Sequence, residues 1–122
     1  MKLSLRQFGT QSGGSTAWIW QRITGLLLVV TLFLHYLFLH FLNGGNVTFA
    51  EVSARLASPL WKTIDITFLT AALYHSVQGV IINIHDYVHR AMLRVTLVSL
   101  TWVVGLILWL TGIATVISIQ SL

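Results

Sequence analysis

Residues 91–119 read AMLRVTLVSLTWVVGLILWLTGIATVISI and contain one charged side chain, that of Arg94. An α-helix rises about 1.5 Å per residue, so this stretch exceeds the roughly 20 apolar residues that cross about 30 Å of hydrocarbon. Residues 17–42 and 61–84 are two further apolar stretches of sufficient length. The sequence therefore predicts an all-α integral membrane protein with three transmembrane helices.

The composition supports a membrane location. Of the 122 residues, 56% are hydrophobic and only 8% are charged, whereas about a quarter of the residues of a soluble domain are charged. A monomer with such a surface would not stay dissolved, so the lipid bilayer or partner subunits must cover it. No linker is long enough to separate domains, and residues 1–122 are predicted to form a single transmembrane domain. The first apolar stretch is too long for a signal-peptide core, so no cleavable signal peptide is expected.

The composition also excludes several kinds of chemistry and partner. The chain has no cysteine, which excludes disulfides, iron–sulfur ligation by this chain and thiol catalysis. The net charge of +4 does not indicate a nucleic-acid partner, because the basic residues are spread along the chain and most lie beside apolar stretches. Membrane proteins place the basic residues that determine their topology in such positions.

The connecting segments predict the topology. Residues 43–60 form a loop in which Thr48-Phe49-Ala50-Glu51 matches a capping box, so a short surface helix is expected there. Residues 85–90, HDYVHR, form a polar turn between the second and third spans. Five basic residues lie on the side of the N-terminus and this turn, and two lie on the other: Lys2, Arg6, Arg22, Arg90 and Arg94 against Arg55 and Lys62. The positive-inside rule therefore places the N-terminus in the cytoplasm and the C-terminus outside.

Polar residues within the second span need a specific explanation, because they are costly in lipid. His75 and Asp86 are eleven residues apart, so their directions around a helix differ by only about 20°. Gly79 differs from His75 by about 40° and would let a flat macrocycle lie close to the backbone. Imidazole is a common axial ligand of haem iron, so His75 is a candidate haem ligand. The alternative is that His75 hydrogen-bonds to a neighbouring helix and that Gly79 is a packing notch.

Two motifs resemble those of a known family. The run His75-Ser76-Val77-Gln78-Gly79 followed by Asp86-Tyr87-Val88-His89 resembles the His-x3-Gly-x6-Asp-Tyr signature of the D-type membrane anchor, the small cytochrome b subunit, of succinate dehydrogenase. The run Trp20-Gln21-Arg22-Ile23-Thr24-Gly25 is similar to the Gln-Arg-x-Thr-Ala/Gly opening of that family's first helix. The length, the three spans and the order of the motifs also fit, so the resemblance covers essentially the whole chain.

The resemblance implies a function in respiratory complex II and the tricarboxylic acid cycle. By this likeness, His75 is an axial ligand of haem b iron, Tyr87 and Asp86 belong to a quinone site, and Arg22 lies near the haem propionates or the quinone. The chain would form half of a heterodimeric helical bundle with a second membrane anchor in the cell's inner membrane. A flavoprotein and an iron–sulfur subunit would dock on the cytoplasmic face and carry out succinate oxidation. Electrons would pass from the iron–sulfur subunit to ubiquinone or menaquinone.

Each of these assignments has an alternative. Tyr87 fits an interfacial aromatic belt, Arg22 a topology anchor and Asp86 the N-cap of the third helix. A haem-free structural anchor of the same kind of complex is the main competing function. A transporter or channel component would need a polar path through the membrane, and the third span offers only Thr, Ser and Gly for it.

The other polar residues of the spans give weaker predictions. His35 and His40 differ by about 140° around a regular helix, so they cannot serve one site from the same face. His40 shares the direction of Arg22, which fits either a second haem ligand or an interhelical hydrogen bond. His85 and His89 fit either proton carriers near a quinone or solvated turn residues. Asp65 is expected at the outer interface without an assigned function.

Overall fold

The computed structural model describes residues 14–42, 44–45 and 47–119. Helix α1 spans Gly14–Leu37 and continues into a π-helical segment, Phe38–Leu42; α2 spans Phe49–Leu56, α3 spans Pro59–Tyr87 and α4 spans Ala91–Ser118. Within the described ranges, three helical stretches are long and apolar enough to cross a membrane: Thr16–Phe41, Pro59–Tyr87 and Ala91–Ser118. The prediction of an all-α protein with three transmembrane helices is therefore confirmed. Lys2 and Arg6, which contribute to the topology prediction, lie outside the described residues.

The short surface helix α2 forms where the capping box predicts it. The Glu51 backbone N–H donates to Thr48 Oγ1 at 3.3 Å, and the Thr48 N–H donates to Glu51 Oε2 at 2.9 Å. Both bonds satisfy N–H groups that the first turn of a helix leaves without partners. Gly44 and Gly45 precede the helix with φ values of 67° and 78°, a conformation that costs glycine little. The chain can therefore reverse direction between α1 and α3 over a short distance.

Helix α3 is longer at its C-terminal end than the sequence predicts. It begins with Pro59 in its first turn and continues through Tyr87, so only residues 88–90 connect it to α4. The N-cap of α4 is Arg90, which makes no side-chain capping bond. The interpretation of Asp86 as the cap of the third helix is therefore wrong, because Asp86 lies in the last turn of α3. The ends of the bundle are called here the loop end, at α2, and the turn end, at residues 88–90.

Helix α3 lies between the other two long helices and packs against both α1 and α4. Glycines allow α3 and α4 to approach closely: a Cβ added to Gly105 would lie 2.6 Å from Val77 Cγ2, and one added to Gly112 would lie 2.6 Å from Leu69 Cδ2. Small residues at helix contacts are typical of membrane bundles. Helices α1 and α4 make no comparable contact with each other among the described residues.

Most apolar side chains of the described residues remain exposed. Among the hydrophobic residues that the structure describes, only Leu56 and Val77 are buried, whereas large side chains such as Met92 are up to 83% exposed. A surface of this kind is stable when lipid or other protein chains cover it. The protein is a multi-pass membrane protein whose interior consists almost entirely of helix–helix contacts.

Candidate haem and quinone site

His75 lies near the middle of α3 with its imidazole directed at α1. A Cβ added to Gly25 would lie 3.0 Å from His75 Cε1 and 3.6 Å from Nδ1. Thr24 Oγ1 lies 3.1 Å from His75 Nδ1, and Thr24 is only 9% exposed. The two consecutive residues of α1 thus serve different purposes: glycine gives the ring room, and threonine binds one of its nitrogens.

The hydrogen bonds available to Thr24 favour one tautomer of His75. Its hydroxyl lies 2.7 Å from the Trp20 carbonyl oxygen and 3.2 Å from that of Gln21. Carbonyl oxygens only accept, so when the Thr24 proton is directed at one of them, the hydroxyl oxygen accepts from His75 Nδ1–H. In that tautomer the free lone pair lies on Nε2, the arrangement in which a histidine binds a metal ion through Nε2.

Gln21 supports the same region from one turn away on α1. Its Nε2 donates to the His75 backbone carbonyl at 3.2 Å and lies 3.3 Å from the position of an added Cβ on Gly79. Among the described residues, the Gln21 amide therefore occupies the space beside Gly79 that the sequence assigns to a macrocycle, which fits the alternative that Gly79 is a packing notch. The glycine that faces the imidazole is Gly25 of the neighbouring helix. Gln21 Oε1 is buried and has no hydrogen-bond partner among the described residues.

Arg22 lies on the exposed side of α1 beside these contacts. Its guanidinium lies 3.8 Å from the centroid of the Trp18 ring, a cation–π contact. No carboxylate within the described ranges forms an ion pair with it. Because Gln21 contacts His75 and Gly79, Arg22 lies at the level of His75 rather than at the turn end. A cation within a span is costly unless it is paired or reaches the interface.

Asp86 and Tyr87 lie at the turn end of α3. Eleven residues separate Asp86 from His75, which is about 16 Å along the helix axis. Tyr87 is 79% exposed, and Asp86 is exposed as well. Neither side chain makes a hydrogen bond or an ion pair with another described residue, so both are available to a ligand or a partner. The four candidate residues therefore form two groups, Arg22 with His75 and Asp86 with Tyr87.

A third polar group, which the sequence does not predict, lies at the loop end. Arg55 Nη2 of α2 lies 2.8 Å from Asp65 Oδ2 of α3, and His35 Nδ1 lies 4.0 Å from Asp65 Oδ1. The His35 ring stacks on Phe68 with 5.8 Å between centroids. Asp65 therefore has an ion-pair partner, although no function was expected for it. The sequence signal for this ion pair is one acidic residue in a span, Asp65, that follows one arginine in the preceding loop, Arg55.

His40 lies in the π-helical segment, with its ring 4.4 Å from that of Tyr36. The comparison of its direction with that of Arg22 assumes a regular α-helix. A π-helical turn contains more residues than an α-helical turn, so that angular relation does not hold. Across the described residues, no group of three or more His, Cys, Asp or Glu side chains could hold a metal ion. His75 is therefore a candidate as a single ligand rather than as part of a metal-binding cluster.

Comparisons with known proteins agree with the architecture. Residues 4–116 match the family model described as succinate dehydrogenase/fumarate reductase transmembrane subunit. Three relatives are each named succinate dehydrogenase hydrophobic membrane anchor subunit. The one from Rickettsia typhi is 30% identical over 112 residues, which are 90% of this chain and 84% of the relative. The one from Rickettsia prowazekii is 33% identical over 87 residues, which are 70% of this chain and 66% of the relative.

The relative from Archaeoglobus fulgidus is 33% identical over 63 residues, which are 52% of this chain and 54% of the relative. The chain thus spans about half the length of this relative and about two thirds of the Rickettsia prowazekii one. The family model, in contrast, covers residues 4–116, which include the first two spans and all but the last two residues of the third. The chain belongs to the family of succinate dehydrogenase/fumarate reductase transmembrane subunits.

Proposed function

We propose that this chain is the haem b- and quinone-binding membrane anchor of a succinate dehydrogenase and that it passes electrons from an iron–sulfur subunit to membrane quinone. The observation that carries the proposal is the pair of contacts around His75. Thr24 holds Nδ1 and Gly25 gives the ring room, which leaves Nε2 as the nitrogen for iron.

The residues around His75 fit a haem group. His75 Nε2 would hold the iron, and Arg22, which has no acidic partner among the described residues, would bind the propionates. The unpartnered Gln21 Oε1 is a further polar atom that a ligand or ordered water would satisfy. When bound, haem b supplies reversible one-electron transfer.

The turn end fits a quinone site. The Tyr87 hydroxyl is exposed at the membrane edge and can donate a hydrogen bond to a quinone carbonyl oxygen. Asp86, one residue before it in the same helical turn, can accept a proton or orient the donor as quinone is reduced to quinol. Arg22 is assigned to the haem rather than to the quinone, because it lies at the level of His75.

The exposed apolar surface supports the proposed partners. A second membrane anchor subunit would cover part of it and complete a heterodimeric helical bundle, and lipid would cover the remainder. The flavoprotein and iron–sulfur subunits would dock at the turn end, on the cytoplasmic face of the cell's inner membrane. Arg90 and Arg94 at this end support a cytoplasmic N-terminus and an external C-terminus.

A haem-free structural anchor is the second candidate function. The hydrogen bond between Thr24 and His75 supports this alternative, because such a bond can also hold two membrane helices together. Under this alternative, the chain would dock the catalytic subunits without carrying electrons through a haem.

The two functions are separated by the absorption spectrum of the purified complex. The proposal expects the α-band of a reduced b-type haem, and it expects His75→Ala to remove or markedly alter that band while the chain remains inserted in the membrane. His35→Ala and His40→Ala serve as matched controls and should leave the spectrum intact. An unchanged spectrum and midpoint potential in His75→Ala would exclude His75 as the ligand, and a complex without haem would support the structural anchor.

A further inference from the structure

Two residues of one turn of α1 hold His75 at two different places. The Thr24 hydroxyl lies 3.1 Å from the ring nitrogen Nδ1, and Gln21 Nε2 donates to the His75 backbone carbonyl at 3.2 Å. The backbone carbonyl oxygen of Gln21 also lies 3.2 Å from Thr24 Oγ1. Because both the ring and the main chain of His75 are held, the side-chain torsion angles between them are restricted. The ring contact belongs to the proposed function, and the backbone contact is a separate feature of Gln21.

The neighbours of the Gln21 amide determine which way it points. Only Nε2 can face the His75 carbonyl oxygen, because an amide oxygen in its place would bring two acceptors together. Gln21 Oε1 is then buried without a hydrogen-bond partner among the described residues. The His75 carbonyl also lies inside α3, where it accepts from the N–H four residues later. Gln21 therefore satisfies no group that would lack a partner without it.

The Gln21 amide is consequently a weak means of holding α1 and α3 together. It adds one bond to a carbonyl that already accepts another, and it brings a buried acceptor that no described protein group satisfies. Such an acceptor is costly, as is a polar side chain within a span. An apolar side chain of the same length would avoid both costs. Proteins keep locally unfavourable residues of this kind mainly at functional sites.

Gly79 provides the space that the Gln21 amide occupies. A Cβ added to Gly79 would lie 3.3 Å from Gln21 Nε2, which is tighter than ordinary van der Waals contact. Gly79 follows His75 by four residues, so the two lie on the same side of α3 one turn apart. One side chain of α1 can therefore contact both. An alanine at position 79 would push the amide away from the His75 carbonyl.

We propose that Gln21, packed against Gly79, is a positioning residue for His75. Gln21 holds the main chain of the histidine, while Thr24 holds its ring, and together they fix the direction of Nε2. This inference rests on the proposed haem function and deepens it. It assigns the space beside Gly79 to the amide of Gln21 rather than to the macrocycle.

Gln21→Met in the assembled complex tests the proposal, because methionine is close to glutamine in length but has no N–H. Haem affinity should fall about tenfold, as for the loss of an indirect partner of a metal ligand. The midpoint potential should shift, because hydrogen bonds around an axial ligand tune it. The melting temperature should stay the same or rise, because the buried acceptor is removed. Haem titration, redox titration and thermal unfolding measure these three quantities.

Asn83→Leu is the matched control. It removes an amide that donates to the Gly79 carbonyl within α3 at 2.8 Å, and it should leave haem affinity and midpoint potential unchanged. Unchanged values of both in Gln21→Met would overturn the proposal. A change accompanied by a lower melting temperature would also overturn it, because Gln21 would then hold the helices together rather than position the histidine.

A double-mutant cycle tests the role of Gly79. Gly79→Ala alone should lower haem affinity and shift the potential as Gln21→Met does. In a Gln21→Ala background there is no amide to displace, so Gly79→Ala should add no further change. If the macrocycle lay against Gly79, the alanine would weaken haem binding equally in both backgrounds. That result would overturn the assignment of this space to Gln21.

The spectrum of the unsubstituted complex separates this inference from the proposed function. A complex without a b-type band would overturn the haem function and the positioning by Gln21 together. A normal band in the unsubstituted complex, with the same haem affinity and potential in Gln21→Met, would overturn the positioning by Gln21 alone.

Discussion

Thr24 Oγ1 of α1 lies 3.1 Å from Nδ1 of His75 in α3, and the same hydroxyl lies 2.7 Å from the Trp20 carbonyl oxygen. If His75 binds haem iron, Thr24 fixes its tautomer and its orientation. Thr24→Val keeps the shape of the side chain but removes the acceptor. Loss of such an indirect partner costs about ten- to hundredfold in metal affinity. We therefore expect haem to be lost more readily from the Thr24→Val complex and its midpoint potential to shift.

Haem titration and redox titration of the purified complex measure these changes. Thr24→Ser retains the hydroxyl, so its haem retention and midpoint potential should match those of the unsubstituted complex. Thr111→Val is the matched control, because among the described residues the Thr111 hydroxyl bonds only to carbonyls of its own helix. Equal haem retention in Thr24→Val and Thr111→Val would show that the hydrogen bond does not position the ligand.

Two glycines provide a second prediction, because the same substitution should have different effects at each. Gly25→Ala places a methyl group 3.0 Å from the His75 ring, and Gly105→Ala places one 2.6 Å from Val77 Cγ2. Overpacking of this kind costs about 1–3 kcal/mol. Gly105→Ala should lower the thermal stability of the chain with an unchanged haem spectrum, whereas Gly25→Ala should alter the spectrum. Thermal unfolding and reduced-minus-oxidised spectra check both, and identical spectral changes would count against a special role for Gly25.

Tyr87→Phe tests the quinone site. It removes one hydrogen bond and leaves the ring in place. An acceptor left without its donor costs about 1–3 kcal/mol, so quinone reductase efficiency should fall roughly ten- to hundredfold. Succinate oxidation with a soluble dye that takes electrons upstream of the quinone should be unchanged. Normal quinone reduction would indicate that Tyr87 belongs to the interfacial aromatic belt. A parallel loss of both activities would indicate that Tyr87 lies in a docking surface instead.

Like Tyr87→Phe, Asp86→Asn should lower quinone reductase efficiency and leave succinate oxidation with the soluble dye unchanged. Because the N-cap of α4 is Arg90 and Asp86 lies within α3, this substitution should leave α4 and the amount of assembled complex unchanged. Immunoblotting of the membrane fraction and the two activity assays measure these effects. A lower level of assembly would mean that Asp86 stabilises the turn end rather than the quinone.

The orientation of the chain gives a further prediction. A reporter fused after Leu122 should behave as external, and one inserted between residues 88 and 90 as cytoplasmic, because α4, Ala91–Ser118, separates residues 88–90 from the C-terminal segment. Alkaline phosphatase and fluorescent-protein fusions distinguish the two compartments. A cytoplasmic signal from the C-terminal fusion would contradict the proposed orientation.

Sequence patterns predict the helices of this protein better than they predict its contacts. Spans 17–42 and 91–119 lie within about a residue of the helical stretches Thr16–Phe41 and Ala91–Ser118, because hydrophobic length determines where a chain crosses a membrane. The capping box at Thr48 is a local pattern as well, and it predicts α2 correctly. The end of α3 was predicted three residues early, because the polar residues of its last turn resemble those of a connecting turn.

The contacts that involve two helices were not predictable in this way. Helical periodicity relates residues of one helix, such as His75 and Gly79, but it gives neither the rotation of α1 against α3 nor their relative heights. The pairs Thr24–His75 and Arg55–Asp65 depend on both quantities. The glycine beside the imidazole was accordingly sought on α3, whereas packing brings Gly25 of α1 against the ring.

The central position of α3 has a consequence for biosynthesis. All contacts described around His75 come from residues 18–25 of α1 and 75–79 of α3, and none involves α4. Chains emerge from the ribosome N-terminal part first, at about 5–20 residues per second. The two helices that hold the imidazole can therefore pair in the bilayer while α4 is still being translated. Helix α4 then joins the opposite side of α3 through Gly105 and Gly112 without rearranging the histidine.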